Sequence, residues 1–184
     1  MKKLVAFIGS PRKNANTYNI VQEIAKGAQE AGAEVKIYNL KDMKLDACLG
    51  CFYCRKKETC VLKDDMTEVY EDMKDASAVV IGAPIYFGQV NGLVKNLMDR
   101  MFPLIDMPPA PRFGTKKAAL VYTFGAPDAS AFQTYLDYNT EVTKMYGFDV
   151  IDVMTFSTGN DPRAIGNHPE TLAKALELGK KLVG

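Results

Sequence analysis

Residues 4–17 have the sequence LVAFIGSPRKNANT, which is the most informative segment for predicting the fold. Five apolar residues in a row are followed by Gly9 and Ser10, and a helical pattern begins at Asn16. An unbroken apolar run of this length is typical of a strand that is buried on both faces, as strands of parallel sheets are. The stretch therefore predicts a strand, a turn and a helix, which together begin an α/β sheet.

The same alternation of apolar runs and helical patterns continues along the whole chain. Strands are predicted over 4–8, 34–38, 78–83, 118–123 and 150–156, and helices over 16–31, 66–74, 89–101 and 171–183. Parallel strands that alternate with helices need right-handed crossovers, so we expect a doubly wound parallel sheet with helices on both faces. Since no repeat or low-complexity linker interrupts the pattern, the sequence predicts one domain over residues 1–184.

Composition and charge exclude several classes of protein. With 184 residues, 47% hydrophobic and 24% charged, the chain has the proportions of an ordinary globular domain rather than a disordered or fibrous one. A net charge of +1 leaves no broad basic field for nucleic acid or an anionic membrane. The apolar runs are too short or too interrupted by glycine and proline for a signal peptide or a membrane span. We therefore expect a cytoplasmic protein without nucleic-acid or membrane partners.

The loop after the first strand, residues 9–17, predicts an anion site. It opens a helix, so its backbone amides and the helix dipole both favour a phosphate. The loop contains neither G-x-G-x-x-G nor G-x-x-x-x-G-K-[ST], which favours a monophosphate held by hydroxyls, amides and Arg12 over a dinucleotide or a triphosphate. The alternative is a plain turn that Pro11 shapes, with Asn16 as the cap of the helix.

Residues 9–17 resemble the FMN-phosphate loop of the NADPH-dependent FMN reductase branch of the flavodoxin-like proteins. Residues 84–88, PIYFG, follow the third strand and are similar to the isoalloxazine-binding segment of that family. The resemblance implies FMN as cofactor and a flavodoxin-like five-stranded sheet of order 2-1-3-4-5. It implies phosphate contacts from Ser10, Arg12, Asn16 and Thr17, and flavin-ring contacts from Pro84, Ile85, Tyr86, Phe87 and Gly88.

The flavin-ring segment also makes physical sense without the family. Two aromatic residues beside a glycine offer a flat ring an apolar surface while backbone amides approach its polar edge. The alternative is that Tyr86 and Phe87 are ordinary core aromatics. A third loop, residues 123–128, follows the fourth strand and adds Thr123 and Gly125 as candidate contacts.

All four cysteines of the chain lie in one segment, which we call the cysteine loop, residues 45–64. Soft thiolates this close together suggest an iron–sulfur cluster or zinc. The ligand candidates are Cys48, Cys51, Cys54 and Cys60. Their spacing, C-x₂-C-x₂-C-x₅-C, resembles the compact motif of the iron–sulfur flavoproteins, which join one [4Fe–4S] cluster to FMN on a flavodoxin-like fold. Free thiols remain an alternative, whereas the compartment disfavours disulfides and the spacing is unusual for structural zinc.

These observations predict an FMN-dependent oxidoreductase that passes electrons between FMN and a [4Fe–4S] cluster. NAD(P)H or ferredoxin is the expected electron donor, and a quinone or an oxygen species the expected small-molecule acceptor. The alternatives are an NAD(P)H-dependent FMN or quinone reductase with free cysteines, and a zinc-stapled interaction protein without flavin. Because the cofactors carry the chemistry, no catalytic side chain is expected, and His168 is predicted to be a cap or surface residue. The cysteine loop follows the second strand, so we expect it at the same sheet edge as the flavin loops.

Two surface features suggest protein partners. The connection over residues 102–113 is rich in proline and, with the residue before it, carries the apolar residues Met101, Leu104, Ile105 and Met107. It is predicted to pack against a second subunit near the flavin, as a homodimer or higher oligomer, or else to cover its own domain as a lid. Three basic residues inside the cysteine motif, Arg55, Lys56 and Lys57, are predicted to dock an acidic donor such as ferredoxin. Alternatively they are neutralised locally by Glu58, Asp64 and Asp65.

Overall fold

The computed structural model describes residues 1–106, 108–158 and 160–184. The strands are β1 (Lys3–Ile8), β2 (Glu34–Asn39), β3 (Ala78–Tyr86), β4 (Gln89–Val90), β5 (Ile105–Asp106), β6 (Ala110–Pro111), β7 (Lys116–Phe124) and β8 (Phe148–Ser157). The α-helices are α1 (Asn16–Glu30), α2 (Cys54–Lys57), α3 (Met66–Asp75), α4 (Gly92–Arg100), α5 (Gln133–Lys144) and α6 (Pro169–Val183). Among the helices of these ranges, none combines the length and the hydropathy that a membrane-spanning segment requires.

The central sheet has the order β2-β1-β3-β7-β8, and every neighbouring pair in it is parallel. Counted over these five long strands, this is the order 2-1-3-4-5, so the predicted topology is confirmed. β4 adds a short antiparallel hairpin to the end of β3, and β5 pairs with β6 outside the main sheet. The carboxyl ends of β1, β3, β7 and β8 therefore meet at one edge.

Helices cover both faces of this sheet. Because successive side chains of a strand point to opposite faces, β1 sends Leu4 and Ile8 to one side and Val5 and Phe7 to the other. The first side is covered by α1 and α6, and the second by α3, α4 and α5. Both faces are therefore buried, as the near-continuous apolar runs predict.

α1 and α6 cross with their backbones in direct contact, because each contributes a glycine at the crossing. A Cβ atom on Gly27 would lie 1.9 Å from the carbonyl oxygen of Leu176, and one on Gly179 would lie 1.9 Å from that of Ile24. Helices can approach this closely only where a side chain is missing. The two glycines therefore set the separation of the helices on this face.

We expect Gly27→Ala to lower the free energy of unfolding by about 1–3 kcal/mol, because the added methyl group overlaps a backbone atom that cannot rotate away. Gly92→Ala is the matched control, since nothing lies within 4 Å of a Cβ atom at that helical position. Urea denaturation of both variants measures the difference. Equal stability of the two variants would contradict the close crossing.

Two of the longer helices differ from the sequence prediction, and the four-residue helix α2 was not predicted. The predicted helix 89–101 begins only at Gly92, because Asn91 is its N-cap and accepts a hydrogen bond from the backbone amide of Val94 at 3.2 Å. Gln89 and Val90, which continue the helical spacing of apolar residues, belong instead to β4. The other difference is α5, which the sequence does not single out because its buried positions include only one large apolar residue, Leu136.

The apolar connection after α4 is buried inside the chain itself. Met101, Leu104 and Ile105 are exposed by no more than 7%, whereas Met107 lies outside the described residues. These three side chains are therefore not available for a second subunit, which agrees with the lid alternative. The apolar character of this connection therefore no longer supports an interface there. The oligomeric state itself remains a prediction.

Candidate functional site

An open cleft of about 600 Å³ lies where four loops meet at the carboxyl edge of the sheet. The loops follow β1, β3, β7 and β8. Nine of the eleven predicted flavin contacts line the cleft: Ser10, Arg12, Asn16, Thr17, Pro84, Ile85, Tyr86, Thr123 and Gly125. The fold thus brings together three loops that the sequence identified separately. Phe87 and Gly88 are not part of its lining.

The first of these loops leaves anion-binding groups free. The hydroxyl of Ser10 accepts a hydrogen bond from the backbone amide of Arg12 at 3.1 Å, which folds the loop back on itself. Arg12 is exposed, and none of the ion pairs among the described residues involves it. Ala15 occupies the N-cap of α1 without a side-chain hydrogen bond, and the first turn carries no acidic residue. The amide of Asn16 donates to the carbonyl oxygen of Pro162 at 3.0 Å, so the following amides of the first turn and the guanidinium are the groups available to an anion.

Asn16 makes two side-chain hydrogen bonds that the sequence did not predict. Its Nδ2 donates to the carbonyl oxygen of Asp161 at 2.7 Å, and its Oδ1 accepts from the amide of Ile165 at 2.9 Å. The turn alternative predicted Asn16 as the N-cap of α1, but Ala15 occupies that position. Although it lines the cleft, its amide group ties α1 to the loop after β8, and a phosphate contact would compete with these bonds.

Thr17 and Thr123 join two of the loops at the base of the cleft. Their hydroxyl oxygens lie 2.7 Å apart in a hydrogen bond, and both residues are buried. Each was predicted as a separate contact to the cofactor. Their pairing indicates that they hold the β1 and β7 loops at a fixed separation.

Phe87 and Gly88 form the turn between β3 and β4. Ile85 and Tyr86 pair with Val90 and Gln89, so the turn has two central residues. Their φ angles are 50° for Phe87 and 79° for Gly88. Positive φ at both positions is typical of the type I′ turn that suits a tight hairpin. This turn leaves the Phe87 ring fully exposed and outside the lining of the cleft, while Tyr86 remains in that lining.

Sequence reasoning missed two contributions to the cleft. Asn91 donates from Nδ2 to the carbonyl oxygen of Gly9 at 2.8 Å, so the cap of α4 also anchors the β1 loop. The loop after β8 adds Thr158, Asn160 and Pro162 to the lining. The topology could have identified this fourth loop, because β8 also ends at the carboxyl edge.

A second pocket, of about 890 Å³, is lined by all four cysteines. Cys54 is buried at the start of α2, Cys60 is half-buried, and Cys48 and Cys51 are exposed. Burial raises the pKa of the Cys54 thiol. Across the described ranges, no group of three or more His, Cys, Asp or Glu side chains is arranged to hold a metal ion. The thiols therefore face one pocket without converging on one point.

Arg100, which sequence reasoning missed as a site residue, lies at the floor of the cysteine pocket and is 1% exposed. Its guanidinium makes a bidentate ion pair with Asp64, at 2.5 and 2.8 Å. It also donates to the Sγ atom of Cys60 at 3.6 Å. The sequence holds no local signal for this pair, because 36 residues separate the partners.

The two pockets lie at opposite ends of α4 and share no lining residue. Asn91, at the N-terminal end, contacts the β1 loop, while Arg100, at the C-terminal end, contacts Cys60. α4 has nine residues and is therefore about 13 Å long. The expectation that the cysteines lie at the same edge as the flavin loops is wrong, because the cysteine loop runs along α4 and away from that edge.

The basic patch is smaller than predicted. The Cζ atom of Arg55 lies 3.5 Å from the centroid of the Phe102 ring, and the guanidinium donates to the carbonyl oxygen of Ile105. Only Lys56 and Lys57 remain exposed. Asp64 is buried against Arg100, so it does not neutralise them. Elsewhere, His168 is half-exposed beside Glu170 at 3.0 Å, which agrees with its prediction as a surface residue.

Comparison with known proteins identifies the family. The family model of the NADPH-dependent FMN reductases matches residues 2–143. The chain belongs to this family. Among its relatives, an iron–sulfur flavoprotein of Methanocaldococcus jannaschii is 31% identical over 98% of this chain and 95% of that protein. An iron–sulfur flavoprotein of Archaeoglobus fulgidus is 47% identical over 53% of this chain and 48% of that protein.

Solved structures of FMN-reductase-like and flavodoxin-like proteins share the fold. A flavone reductase has a TM-score of 0.74 at 19% identity, covering 100% of this chain and 62% of that one. An NAD(P)H:quinone oxidoreductase from Methanothermobacter marburgensis has a TM-score of 0.71 at 16% identity, covering 98% and 95%. An archaeal flavodoxin has a TM-score of 0.59 at 14% identity, covering 100% and 96%. Together with family membership, these likenesses support an FMN-dependent oxidoreductase on a flavodoxin-like fold.

The residues present fit the cofactors of such proteins. In the first cleft, the N-terminus of α1 has no side-chain cap, and Arg12 forms no ion pair among the described residues, so both suit the phosphate of FMN. In the second pocket, four thiols among apolar side chains form the donor set that iron–sulfur clusters use. Binding of a phosphate would account for the polar side chains at the α1 end of the cleft. Binding of a cluster would account for the cysteines that line an apolar pocket.

Proposed function

We propose that this chain is an FMN-dependent oxidoreductase that passes electrons between FMN and a [4Fe–4S] cluster held by Cys48, Cys51, Cys54 and Cys60. The observation that carries the proposal is the pair of pockets at the two ends of α4, one with an anion-binding loop and one with four thiols. When bound, FMN supplies hydride and one-electron chemistry and the cluster supplies one-electron transfer. The chain's own side chains bind and orient the cofactors.

In the flavin cleft, binding depends on groups from several loops. Ser10 and Arg12 would hold the phosphate together with the amides of α1 that follow Asn16. Tyr86 would lie against the flavin ring, and the Thr17–Thr123 hydrogen bond would keep the two flanking loops in place. Phe87 and Gly88 would act through the turn that positions Tyr86, rather than by contact with the cofactor.

In the cysteine pocket, the apolar lining would shield the cluster from water. Leu62, Phe102 and Pro103 belong to this lining and are half-buried or buried. Because metal binding is coupled to the folding of its loop, Cys48 and Cys51 would turn inward when the cluster assembles. Gly50, between them, already has a φ of 60°, which is a turn conformation that glycine adopts without strain. A reducing cytoplasm would keep these thiols available.

The electron donor and acceptor follow from the cofactors. NAD(P)H would supply two electrons as a hydride and ferredoxin one electron, while a quinone would accept two electrons and two protons. The family description names NADPH, which supports a nicotinamide donor. Lys56 and Lys57 are exposed beside the cysteine pocket and would dock an acidic protein donor.

The second candidate is an NAD(P)H-dependent FMN or quinone reductase whose cysteines stay free. It is favoured by the exposure of Cys48 and Cys51 and by the lack of a converged ligand set in the described ranges. A zinc-stapled protein without flavin has less support, because the chain belongs to a family of FMN reductases.

Anaerobic purification followed by iron, sulfide and flavin analysis decides between the first two candidates. We expect about one FMN and about four iron and four sulfide per chain after reconstitution, as a single [4Fe–4S] cluster requires. Stoichiometric FMN without iron would exclude the cluster and leave the free-thiol reductase. In that case, steady-state turnover with NADPH and a quinone would test the remaining candidate.

Arg12→Gln is expected to weaken FMN binding about 10- to 100-fold, because a charge-assisted contact to the phosphate contributes roughly 1.5–3 kcal/mol. Riboflavin has no phosphate, so its affinity should not change. Lys13→Gln is the matched control, because Lys13 is a neighbouring exposed cation that does not line the cleft. Fluorescence titration of the apoprotein with both flavins measures the effect. An equal loss of FMN affinity in both variants would indicate only a general charge effect.

We also propose that the chain forms at least a dimer through the surface near the flavin. Phe87 is fully exposed and Tyr86 is 44% exposed, so an apolar patch remains beside the cleft. Sedimentation of the FMN-bound protein at micromolar concentration tests this, and a monomer would overturn it.

A further inference from the structure

Arg100 is a buried cation whose contacts are not explained by the flavin chemistry. Besides Asp64 and Cys60, its Nη1 donates to the carbonyl oxygen of Asp46 at 2.6 Å. Its Nε is the one buried side-chain nitrogen or oxygen that has no hydrogen-bond partner in the part of the chain that the structure describes. An unpartnered buried donor is costly to a fold. The guanidinium therefore has hydrogen-bonding capacity that the protein itself does not use.

The Arg100–Asp64 pair closes the cysteine loop near its two ends. Asp46 lies near the start of the loop, and its backbone amide donates to Asp64 at 3.0 Å while its carbonyl accepts from Arg100. Asp64 lies at the end of the loop and also accepts from the amide of Met66 at 3.2 Å. All four cysteines lie between these anchors. One ion pair thus joins the two ends of the segment that carries them.

Stability alone does not account for this arrangement. Replacing a buried ion pair by apolar residues of similar volume is often neutral or stabilising, because two charges must be taken out of water. In addition, Nη2 of Arg100 points to the Sγ atom of Cys60. A neutral thiol gains little from such a donor, whereas the thiolate of a cluster ligand gains a charge-assisted hydrogen bond.

We infer that Arg100 is a positioning residue for Cys60 and raises the reduction potential of the cluster, while its pair with Asp64 holds the cysteine loop closed. This inference rests on the proposed cluster. Reduction adds one electron to a site that already carries four thiolates. A fixed cation and a hydrogen bond to sulfur stabilise that added negative charge, so the potential is higher with them than without them.

Arg100→Lys tests the effect on the cluster, because lysine keeps a positive charge but cannot bind Asp64 in a bidentate manner and also reach Cys60. We expect iron content to be retained and the midpoint potential to fall. At a fixed ambient potential, the ratio of reduced to oxidised cluster should drop about tenfold, equivalent to about 59 mV for one electron. A redox titration followed by electron paramagnetic resonance measures both the ratio and any change in the cluster spectrum.

Arg112→Lys is the matched control, because Arg112 lies outside the cysteine loop but contacts it. The side chain of Arg112 is 6% exposed and pairs with Asp106 at 2.7 Å, but it faces the backbone carbonyl of Cys54, at 3.5 Å, rather than a sulfur atom. Its replacement should leave the potential unchanged. An equal shift in both variants would overturn the specific role of Arg100.

Asp64→Asn provides a second, independent variant. Asparagine can still accept hydrogen bonds, but it removes the negative charge that offsets Arg100, so the potential should rise instead of fall. Opposite shifts in Arg100→Lys and Asp64→Asn support the inference, and a loss of structure alone would not produce them. If Arg100→Lys does not fold, Asp64→Asn decides by itself, and an unchanged potential in an iron-loaded protein overturns the inference. Absence of iron in the unmodified protein would instead overturn the proposed function.

Discussion

Asp64→Ala is expected to lower the free energy of unfolding by about 3–5 kcal/mol, which is the typical cost of leaving a buried charge without its partner. Asp64 and Arg100 have side chains that are 0% and 1% exposed, so water cannot replace the lost carboxylate. The same change removes acceptors from the amides of Asp46 and Met66. Urea denaturation with a two-state fit measures the loss.

Asp65→Ala is the control for this prediction, because its carboxylate accepts one hydrogen bond, from the amide of Lys44, at an exposed site. We expect a cost of at most about 1 kcal/mol there. The double variant Asp64→Leu with Arg100→Met removes both charges and should recover most of the stability lost in Asp64→Ala. If the alanine variants at 64 and 65 are equally stable, the buried pair does not have the importance assigned to it.

The same pair predicts how stability depends on pH. Burial by itself raises the pKa of Asp64, but hydrogen bonds from Arg100 and from the amide of Asp46 outweigh it and lower the pKa. A carboxylate with a lowered pKa stabilises the fold above its unfolded pKa of about 4 and loses this contribution as the pH falls through the folded value. Acid unfolding below about pH 4 should therefore be less steep in Asp64→Asn.

Cys51→Ser is expected to abolish cluster assembly while leaving the fold intact. One of four ligands is lost, and a serine hydroxyl is a poor replacement for a soft thiolate. Because Cys51 is exposed, its replacement should change the free energy of unfolding by no more than about 0.5 kcal/mol. Iron and sulfide after reconstitution should fall from about four per chain to nearly none. FMN content should not change, because the cleft lies at the other end of α4.

Leu49→Ser controls for a general disturbance of the loop. Leu49 lines the same pocket and is 66% exposed, but it offers no ligand. We expect iron content close to that of the unmodified protein. Equal iron in both serine variants would mean that Cys51 is not a ligand, and equal loss would mean that any polar change opens the loop.

Local sequence was sufficient to predict the sheet. The five apolar runs correspond to β1, β2, β3, β7 and β8, because a strand buried on both faces must be apolar at successive positions. The loop of residues 9–17 was also predictable, since a turn between a buried strand and a helix places amides at the edge where ligands bind. Nine predicted contacts line one cleft because parallel strands end at the same edge.

Where local patterns compete, the sequence was insufficient. Val90 fits the helical stripe of α4, yet the hairpin and the cap at Asn91 place it in β4. The sequence did not predict the two-residue turn that places the ring of Phe87 in solvent, outside the lining of the cleft. In both cases the hairpin pairing, which joins residues on two sides of a turn, outweighed the local preference.

Residues that are close together in the chain were sufficient to predict the order of the elements, the candidate phosphate loop of residues 9–17 and the group of four thiols. Only the tertiary structure decided where the thiols lie relative to the cleft, and that Arg100 and Asp64 meet beneath Cys60. A buried ion pair forms only where the fold brings two opposite charges together and excludes water from them. Partners 36 residues apart leave no periodic pattern or spacing in the chain, and only folding brings their charges out of water together.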